Sequence, residues 1–428
     1  MIYHSTPDIH LNDNLSGLST SATIAIQQLC RKMMNEGKEV FRLGLGQSPF
    51  PVPDRVVEAL KANAHQKDYL AVKGLEELRS TLVDHHKRTF DIDCGTEDII
   101  IGPGSKELMF ILQLIYDGEI IIPMPAWVSY YPQAKIIGRP VNTIMTSRDS
   151  GYKITAAQVD SICKLDPQRS RLLILNYPSN PTGQTYSADE LEALAAVLAK
   201  YQVLVLSDEI YAKMTFSGDH VSIMNFYPEG TIFSGGLSKW CGAGGWRLGL
   251  FVVPERMRWI TDAMATVASE TFTSTSAPIQ YAAIAAFQEH NDIDEYVTRC
   301  RNILSHLAEE IHIRLSRTET QVLPAQGGFY VFPDFDNYRQ KLKKKNIFTS
   351  RELCDKLLAE TGVAMLPGID FGRPASELTA RLAFVDFDGK KALDDFPEDG
   401  TLDRAYLEKS CNSTLTAVDR LIDWLDAL

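Results

Sequence analysis

Ser234-Gly-Gly-Leu-Ser-Lys239-Trp-Cys-Gly-Ala-Gly-Gly-Trp-Arg247-Leu-Gly249 sets one lysine and one arginine among mostly small neighbours. The segment joins two apolar runs, Thr231-Ile-Phe before it and Leu248-Gly-Leu-Phe-Val-Val after it. If both runs are strands, Lys239 sits on the connection between them, held away from bulk water. Withdrawal from water favours the neutral amine, the form that condenses with an aldehyde. A solvated glycine-rich loop would have the same composition, so the rest of the chain has to decide.

Outward from this segment, short apolar runs recur at 99–101, 120–122, 172–175, 203–206, 232–233 and 250–253, with helical spacing at 75–90, 106–116 and 188–200. Continuous apolar runs separated by helices are what a mostly parallel sheet covered on both faces requires. In such a sheet ligands collect at the carboxyl ends of the strands. Upstream, a helix is expected over 23–36 with Gly37 as its stop, and three prolines hold Gln47-Ser-Pro-Phe-Pro-Val-Pro53 extended as a connection between domains. After a long helical connection at 279–317, the runs 321–323, 328–332, 363–366 and 381–385 alternate more, as in a smaller α+β domain that the N-terminal arm joins. The expected division is 1–52 for the arm and part of the small domain, 53–305 for a large α/β domain, and 306–428 for the small C-terminal domain.

A chain of 428 residues exceeds what one hydrophobic core usually organises, which agrees with two domains. Its net charge of -12 disfavours nucleic acid and anionic membranes as partners. The basic run Arg339-Gln-Lys-Leu-Lys-Lys-Lys345 reads as a solvated face. Seven cysteines without Cys-x-x-Cys spacing argue against a metal site or a disulfide framework and for a reducing cytoplasm. Residues 1–10 lack a basic segment followed by an apolar run, so no secretory signal is expected, and no window has the apolar length of a membrane span.

The polar residues stand at strand ends. After the run 172–175 comes Asn176-Tyr-Pro-Ser-Asn180-Pro-Thr-Gly183, a rigid turn whose asparagines can present amides to a ligand. After 203–206 come Asp208, expected to be half-buried beside a cation, and Tyr211 one helical turn on. After 99–101, Gly102-Pro-Gly104-Ser105-Lys106 opens a helix with free backbone N–H groups, a cradle for phosphate. After 120–122, Pro123-Met-Pro-Ala-Trp127 offers a flat ring. Amine, carboxylate, phenol, amide, phosphate cradle, arginine and aromatic plane together complement pyridoxal 5′-phosphate, and no other common cofactor asks for a lysine link beside an acid.

On these motifs the chain resembles the fold-type-I, pyridoxal-phosphate-dependent aminotransferases of class I/II, in particular the bacterial aspartate aminotransferase branch. Similarity runs from Ser21-Ala-Thr to Arg381, with Asn180-Pro-Thr-Gly183, Asp208-x-x-Tyr211, Ser238-Lys239 and Gly245-Trp-Arg-Leu-Gly249 in the family's order. The resemblance implies a seven-stranded sheet, Lys239 as the Schiff-base lysine, Arg247 on the phosphate, Asp208 on the ring nitrogen, and Tyr211 with Asn180 on the ring hydroxyl. It places Trp127 on the ring face and Gly104, Ser105, Lys106 and Ser238 around the phosphate. Arg381 matches the arginine that forks onto the substrate α-carboxylate, with Gly46, Trp127 and Asn180 completing the substrate side. Tyr69, in Asp68-Tyr-Leu-Ala-Val-Lys-Gly, matches a tyrosine lent by the second subunit of a homodimer, and Ser274 and Thr275 resemble residues reaching the neighbouring phosphate.

Two departures stand out. Gly46-Gln-Ser-Pro-Phe replaces the family's Gly-Glu-Pro-Asp-Phe. Gly236 stands where some relatives carry a phosphate-binding serine, which leaves Ser238 and Ser234 as substitutes.

The resemblance implies ping-pong transamination, in which an amino acid displaces Lys239 and the freed amine moves a proton on the substrate. Ser21 and Lys106 match positions near the distal group of a dicarboxylate. Aspartate or glutamate with 2-oxoglutarate is therefore the expected pairing, followed by aromatic amino acids or prephenate. A lyase or synthase using the same cofactor is the alternative within the fold. A cofactor-sensing partner of a transcription factor is disfavoured by the acidic charge and the lack of a DNA-binding segment. A nicotinamide dehydrogenase is disfavoured because no Gly-x-Gly-x-x-Gly follows the first strand.

Overall fold

The structure, a computed structural model, describes residues 10–428. Residues 1–9, the start of the expected N-terminal arm and most of the stretch read for a secretory signal, lie outside the described residues. Seven strands, β1 (Ile99–Gly102), β2 (Glu119–Met124), β3 (Val141–Met145), β4 (Arg171–Asn176), β5 (Leu204–Asp208), β6 (Thr231–Gly236) and β7 (Gly249–Val252), form one sheet in the order β1-β7-β6-β5-β4-β2-β3. From β3 to β6 every pairing is parallel, and β7 alone runs antiparallel to both its neighbours.

The apolar runs fold this way because the central strands bury both faces. Ile120, Ile122, Leu172, Ile174 and Leu206 enter one core, while the alternating Ile121, Leu173, Leu175 and Val205 enter another. Removing each such side chain from water contributes about 1.5–3 kcal/mol. The strand β3 carries no apolar run in Val-Asn-Thr-Ile-Met and escapes a reading by hydrophobicity, since it is an edge strand with no fully buried residue.

Helices α1 (Ala22–Asn35), α2 (Asp54–Asn63), α3 (Glu76–Phe90), α4 (Ser105–Ile115), α5 (Tyr130–Ile137), α6 (Ala156–Cys163), α7 (Ala188–Lys200) and α8 (Arg258–Ser269) lead to α9 (Ala277–Phe287) and α10 (Asn291–Leu315). The long helical connection expected at 279–317 is made of these last two helices, separated where Gln288 turns extended at ψ 155°. A second sheet, β8 (Tyr330–Val331), β9 (Leu366–Pro367) and β10 (Ala380–Ala383), is antiparallel in the order β8-β10-β9. The run at 321–323 makes only an isolated bridge from Gln321 to Asp334. Cys30 of α1 packs with Leu358 and Ala364, and Phe41 bridges to Val363, so the residues after the arm join the C-terminal elements. Among the described residues no helix is long and apolar enough to cross a membrane.

Candidate active site

Parallel strands deliver their last residues to one edge, where β4 and β5 end in register and β6 runs two residues further. Asn176 lies opposite Asp208, and Asp208 opposite Ser234. Beyond that edge is a cleft of about 540 Å³ lined by Lys106, Trp127, Asn180, Asp208, Tyr211 and Lys239, with Gln47, Tyr130 and Ser238 also on its wall.

Lys239 follows β6 and turns inward. Its Nζ donates to the Gly46 carbonyl at 2.9 Å and lies 5.5 Å from the Tyr211 ring centre and 5.6 Å from that of Phe329. Burial first, then the Arg381 charge, pull its ammonium down to about 8, against the opposing pull of Asp208. Asp208 is only 4% exposed, so it is buried rather than half-buried. Its hydrogen-bonding partner is a phenol and not a cation, with Tyr130 OH donating to Oδ2 at 2.5 Å. Burial raises the carboxyl to about 6, with the Tyr130 hydrogen bond, the Ile210 backbone N–H and the Lys239 charge working to lower it. Among the described residues the second oxygen, Oδ1, is buried without a hydrogen-bond partner.

At the other end of the cleft α4 begins. Gly104 caps it at φ +87°, and a Cβ there would stand 2.0 Å from Arg247 Nη2. A Cβ on Gly249 would stand 2.0 Å from the Ser105 nitrogen. These two glycines let β7 and the Arg247 guanidinium close onto the first turn of α4, whose Ser105 and Lys106 line the cleft at a helix N-terminus, a place suited to an anion. Arg247 itself is exposed, held by Gly244 O at 2.9 Å and Pro103 O at 3.2 Å. An orphaned carboxylate oxygen, an inward amine and a helix N-terminus beside a guanidinium fit the ring nitrogen, aldehyde and phosphate of pyridoxal 5′-phosphate.

Arg381, on β10, is fully buried and makes no ion pair among the described residues. It donates to Asn180 Oδ1 at 3.0 Å and to Gly44 O at 2.6 Å, while Nε has no partner among the described residues. Its guanidinium lies 4.7 Å from the Tyr330 ring centre, and Tyr330 OH shares a hydrogen bond with Tyr211 OH at 2.8 Å. Position 46 must be glycine in this arrangement, because a Cβ would stand 2.0 Å from Tyr330 OH.

Residues 38–384 match the family Aminotransferase class I and II. The chain belongs to this family. It is 32% identical over 88% of its length to 94% of an aspartate aminotransferase of Bacillus sp. (strain YM-2). It is also 34% identical over 85% of its length to 92% of an aspartate aminotransferase of Geobacillus stearothermophilus. An aspartate aminotransferase from Thermus thermophilus with maleate superposes with a TM-score of 0.83 at 25% identity, covering 96% of this chain and 99% of the other. The protein is thus a pyridoxal-phosphate-dependent aminotransferase of fold type I.

Some residues that the sequence assigns to the aminotransferase site lie outside the cleft lining. Tyr69 is 89% exposed. Thr275 is buried, its carbonyl accepting from Gln280 at 2.7 Å, and Ser274 lies beside it outside the cleft. Ser21 precedes α1, its hydroxyl 3.0 Å from that of Thr23. Of the two candidate serines, Ser238 lines the cleft, whereas Ser234 is buried in β6 with an unpartnered hydroxyl. A side chain at Gly236 is excluded, since its Cβ would meet Leu248 O at 2.7 Å. Asn176 lines the cleft, and its side chain braces the turn, donating to Asp208 O and accepting from Asn180 N, both at 2.8 Å.

Tyr130 and Tyr330 were not anticipated from sequence. Tyr130 stands one helical turn after Trp127, the only local signal for it, and the two rings meet edge to face at 5.3 Å. Tyr330 reads simply as an apolar strand residue.

Proposed function

We propose that this aminotransferase moves the amino group of L-aspartate or L-glutamate to a 2-oxo acid such as 2-oxoglutarate in two half-reactions through one cleft. The observation that carries the residue roles is the inward Nζ of Lys239 together with the unpartnered, buried Oδ1 of Asp208. Pyridoxal 5′-phosphate, when bound, supplies the aldehyde that takes up the amino group and the ring that draws electrons from the substrate α-carbon.

The chain's own residues do the rest. Asp208 Oδ1 holds a proton on a ring nitrogen. Tyr211 OH and the Asn180 amide serve a ring hydroxyl. Ser105, Ser238 and Arg247 hold phosphate, with Gly104 leaving room for the guanidinium. Trp127 walls the cleft on the ring face. Arg381 binds the α-carboxylate as a planar fork, beside the backbone of Gly46. Lys239 Nζ, drawn down to about 8, carries enough neutral amine near neutral pH to take the proton from the substrate α-carbon.

Lys106 supports the choice of a dicarboxylic substrate. Its ammonium faces the cleft 5.0 Å from the Trp127 ring centre, and burial with the Arg247 charge lowers its pKa, so a carboxylate would be a favourable partner. The relatives named aspartate aminotransferase point the same way. Panels of amino donors mixed with the holoenzyme, followed by the absorbance change of the bound cofactor in a single half-reaction, test it. Aspartate and glutamate should react fastest, and a faster aromatic or neutral donor would displace the substrate assignment.

The working form is a homodimer in which Tyr69 and the Ser274-Thr275 segment serve the neighbouring subunit's phosphate. A large aromatic left 89% exposed supports that reading. The division at 1–52, 53–305 and 306–428 has α10 as the bridge between the second and third parts. Seven free cysteines favour the cytoplasm.

A further inference from the structure

Directly after Asp208 stands a second carboxylate that the reaction does not use. Glu209 is 2% exposed, and its side chain accepts four hydrogen bonds. Ser207 Oγ and Ser222 Oγ donate to Oε1 at 2.7 Å each, and Tyr177 OH donates to it at 3.2 Å. His220 Nε2 donates to Oε2 at 2.6 Å, and the other ring nitrogen lies 3.2 Å from Thr215 Oγ1. The His220 ring stacks on Tyr177 at 5.3 Å and 21°. Tyr177 and Ser222 stay outside the lining of the cofactor cleft, as do Ser207, Glu209 and His220.

His220 and Ser222 come from the loop that follows β5, and the other partners of Glu209 come from three strand ends. Tyr177 follows β4, whose Asn176 braces the Asp208 carbonyl and whose turn carries Asn180. The Glu209 amide donates to Ser234 O on β6 at 3.0 Å, a few residues before Lys239. Its carbonyl accepts from Ala212 at 2.9 Å and closes the turn that carries Tyr211. A hydrogen-bonded carboxylate this deeply buried contributes little net stability compared with an apolar group of the same shape. Its distinctive effect is directional, because four donors with fixed geometry permit one orientation of the turn.

We propose that Glu209 and His220 are positioning residues that lock the Asp208–Tyr211 turn against the ends of β4 and β6 and so aim Asp208 Oδ1 at the cofactor ring. The inference rests on Asp208 and Tyr211 facing the cofactor, as argued above.

The test compares wild type with Glu209→Gln, His220→Leu and His220→Gln, and uses Asp208→Asn as a control. Affinity of each apoenzyme for pyridoxal 5′-phosphate is read by tryptophan fluorescence. The pH midpoint of the bound cofactor's absorbance and the melting temperature are recorded alongside. His220→Leu and Glu209→Gln should weaken cofactor binding about tenfold, the worth of a hydrogen bond to a charged group, and should displace the midpoint. His220→Gln keeps a donor at the Nε2 position and should restore both. If all three variants keep wild-type affinity and midpoint, whatever their melting temperatures, the positioning role is wrong. Should Glu209→Gln not fold, the two His220 variants decide the matter alone. If instead Asp208→Asn leaves affinity and spectrum intact, it is the assignment of the site that fails and the inference goes with it.

Discussion

The hydroxyl of Tyr130 donates to Asp208 Oδ2 at 2.5 Å, and both groups are buried, so the acid that faces the cleft is steadied by a neutral donor and not by a cation. Tyr130→Phe removes the one side-chain hydrogen bond that the carboxylate accepts. The carboxyl then climbs above its present value of about 6. The acidic limb of kcat/KM should move to higher pH by about one unit, the equivalent of one hydrogen bond to a charge. A pH profile of the variant checks this, and an unmoved limb would mean that Asp208 ionisation does not govern that limb.

Lys239 imposes a pH dependence on the apoprotein. Its folded pKa of about 8 lies below the 10.5 of a lysine in water. Below the folded value both states carry the proton, and the cost of burying the charge is fully present. Between the two values the unfolded chain binds more protons, so this group's contribution makes stability rise with pH. Lys239→Met should therefore melt higher than wild-type apoprotein near neutral pH, by roughly 1–3 kcal/mol. The gap should close as pH climbs toward the unfolded value. Denaturant titrations at several pH values measure it, and a constant gap would place the amine in ordinary solvent.

Lys239→Ala should abolish turnover and the absorbance of covalently held cofactor while leaving the fold intact, as read by circular dichroism. A coloured, active alanine variant would remove Lys239 from the reaction.

Gly249→Ala forces a methyl to within 2.0 Å of the Ser105 nitrogen and 2.4 Å of the Gly104 carbonyl carbon. The expected loss is about 1–3 kcal/mol, typical of overpacking. Because the clash falls on the first turn of α4, inorganic phosphate should raise the melting temperature of wild-type apoprotein but not of the variant. Equal stabilisation of both would place the anion elsewhere.

Tyr69 and Lys239 should complement each other across subunits. Mixed dimers of Tyr69→Ala and Lys239→Ala contain one site with both residues native. A randomised mixture should recover about a quarter of wild-type activity, because half the dimers are mixed and each holds one whole site. Activity no greater than the sum of the two parents would show that each site is built from one chain.

The core strands were readable because burial on both faces leaves a continuous apolar run, as in Leu172 to Leu175. The edge strand β3 was not readable, because it lies open on its edge and carries no apolar run. The short strands β8, β9 and β10 fall within or overlap the runs read at 328–332, 363–366 and 381–385, while the run at 321–323 forms only an isolated bridge. Asp208 was found as a polar residue at a strand end. Its phenolic partner was not, because Tyr130 is 78 positions away and reaches it only when β2 and β5 stand in one sheet.

What the sequence alone determined is the alternation of strand and helix, the order of the motifs, and the residue types that a pyridoxal-phosphate aminotransferase needs. These follow from local periodicity and from chemistry carried by single side chains. Only the tertiary structure decided that Asp208 is fully buried against Tyr130, that Glu209 and His220 tie three strand ends together, and that Gly236 and Gly249 have no room for a side chain. Such facts depend on sheet register and on contacts between distant segments, where a few tenths of an ångström separate a hydrogen bond from a clash and no local pattern records which will form.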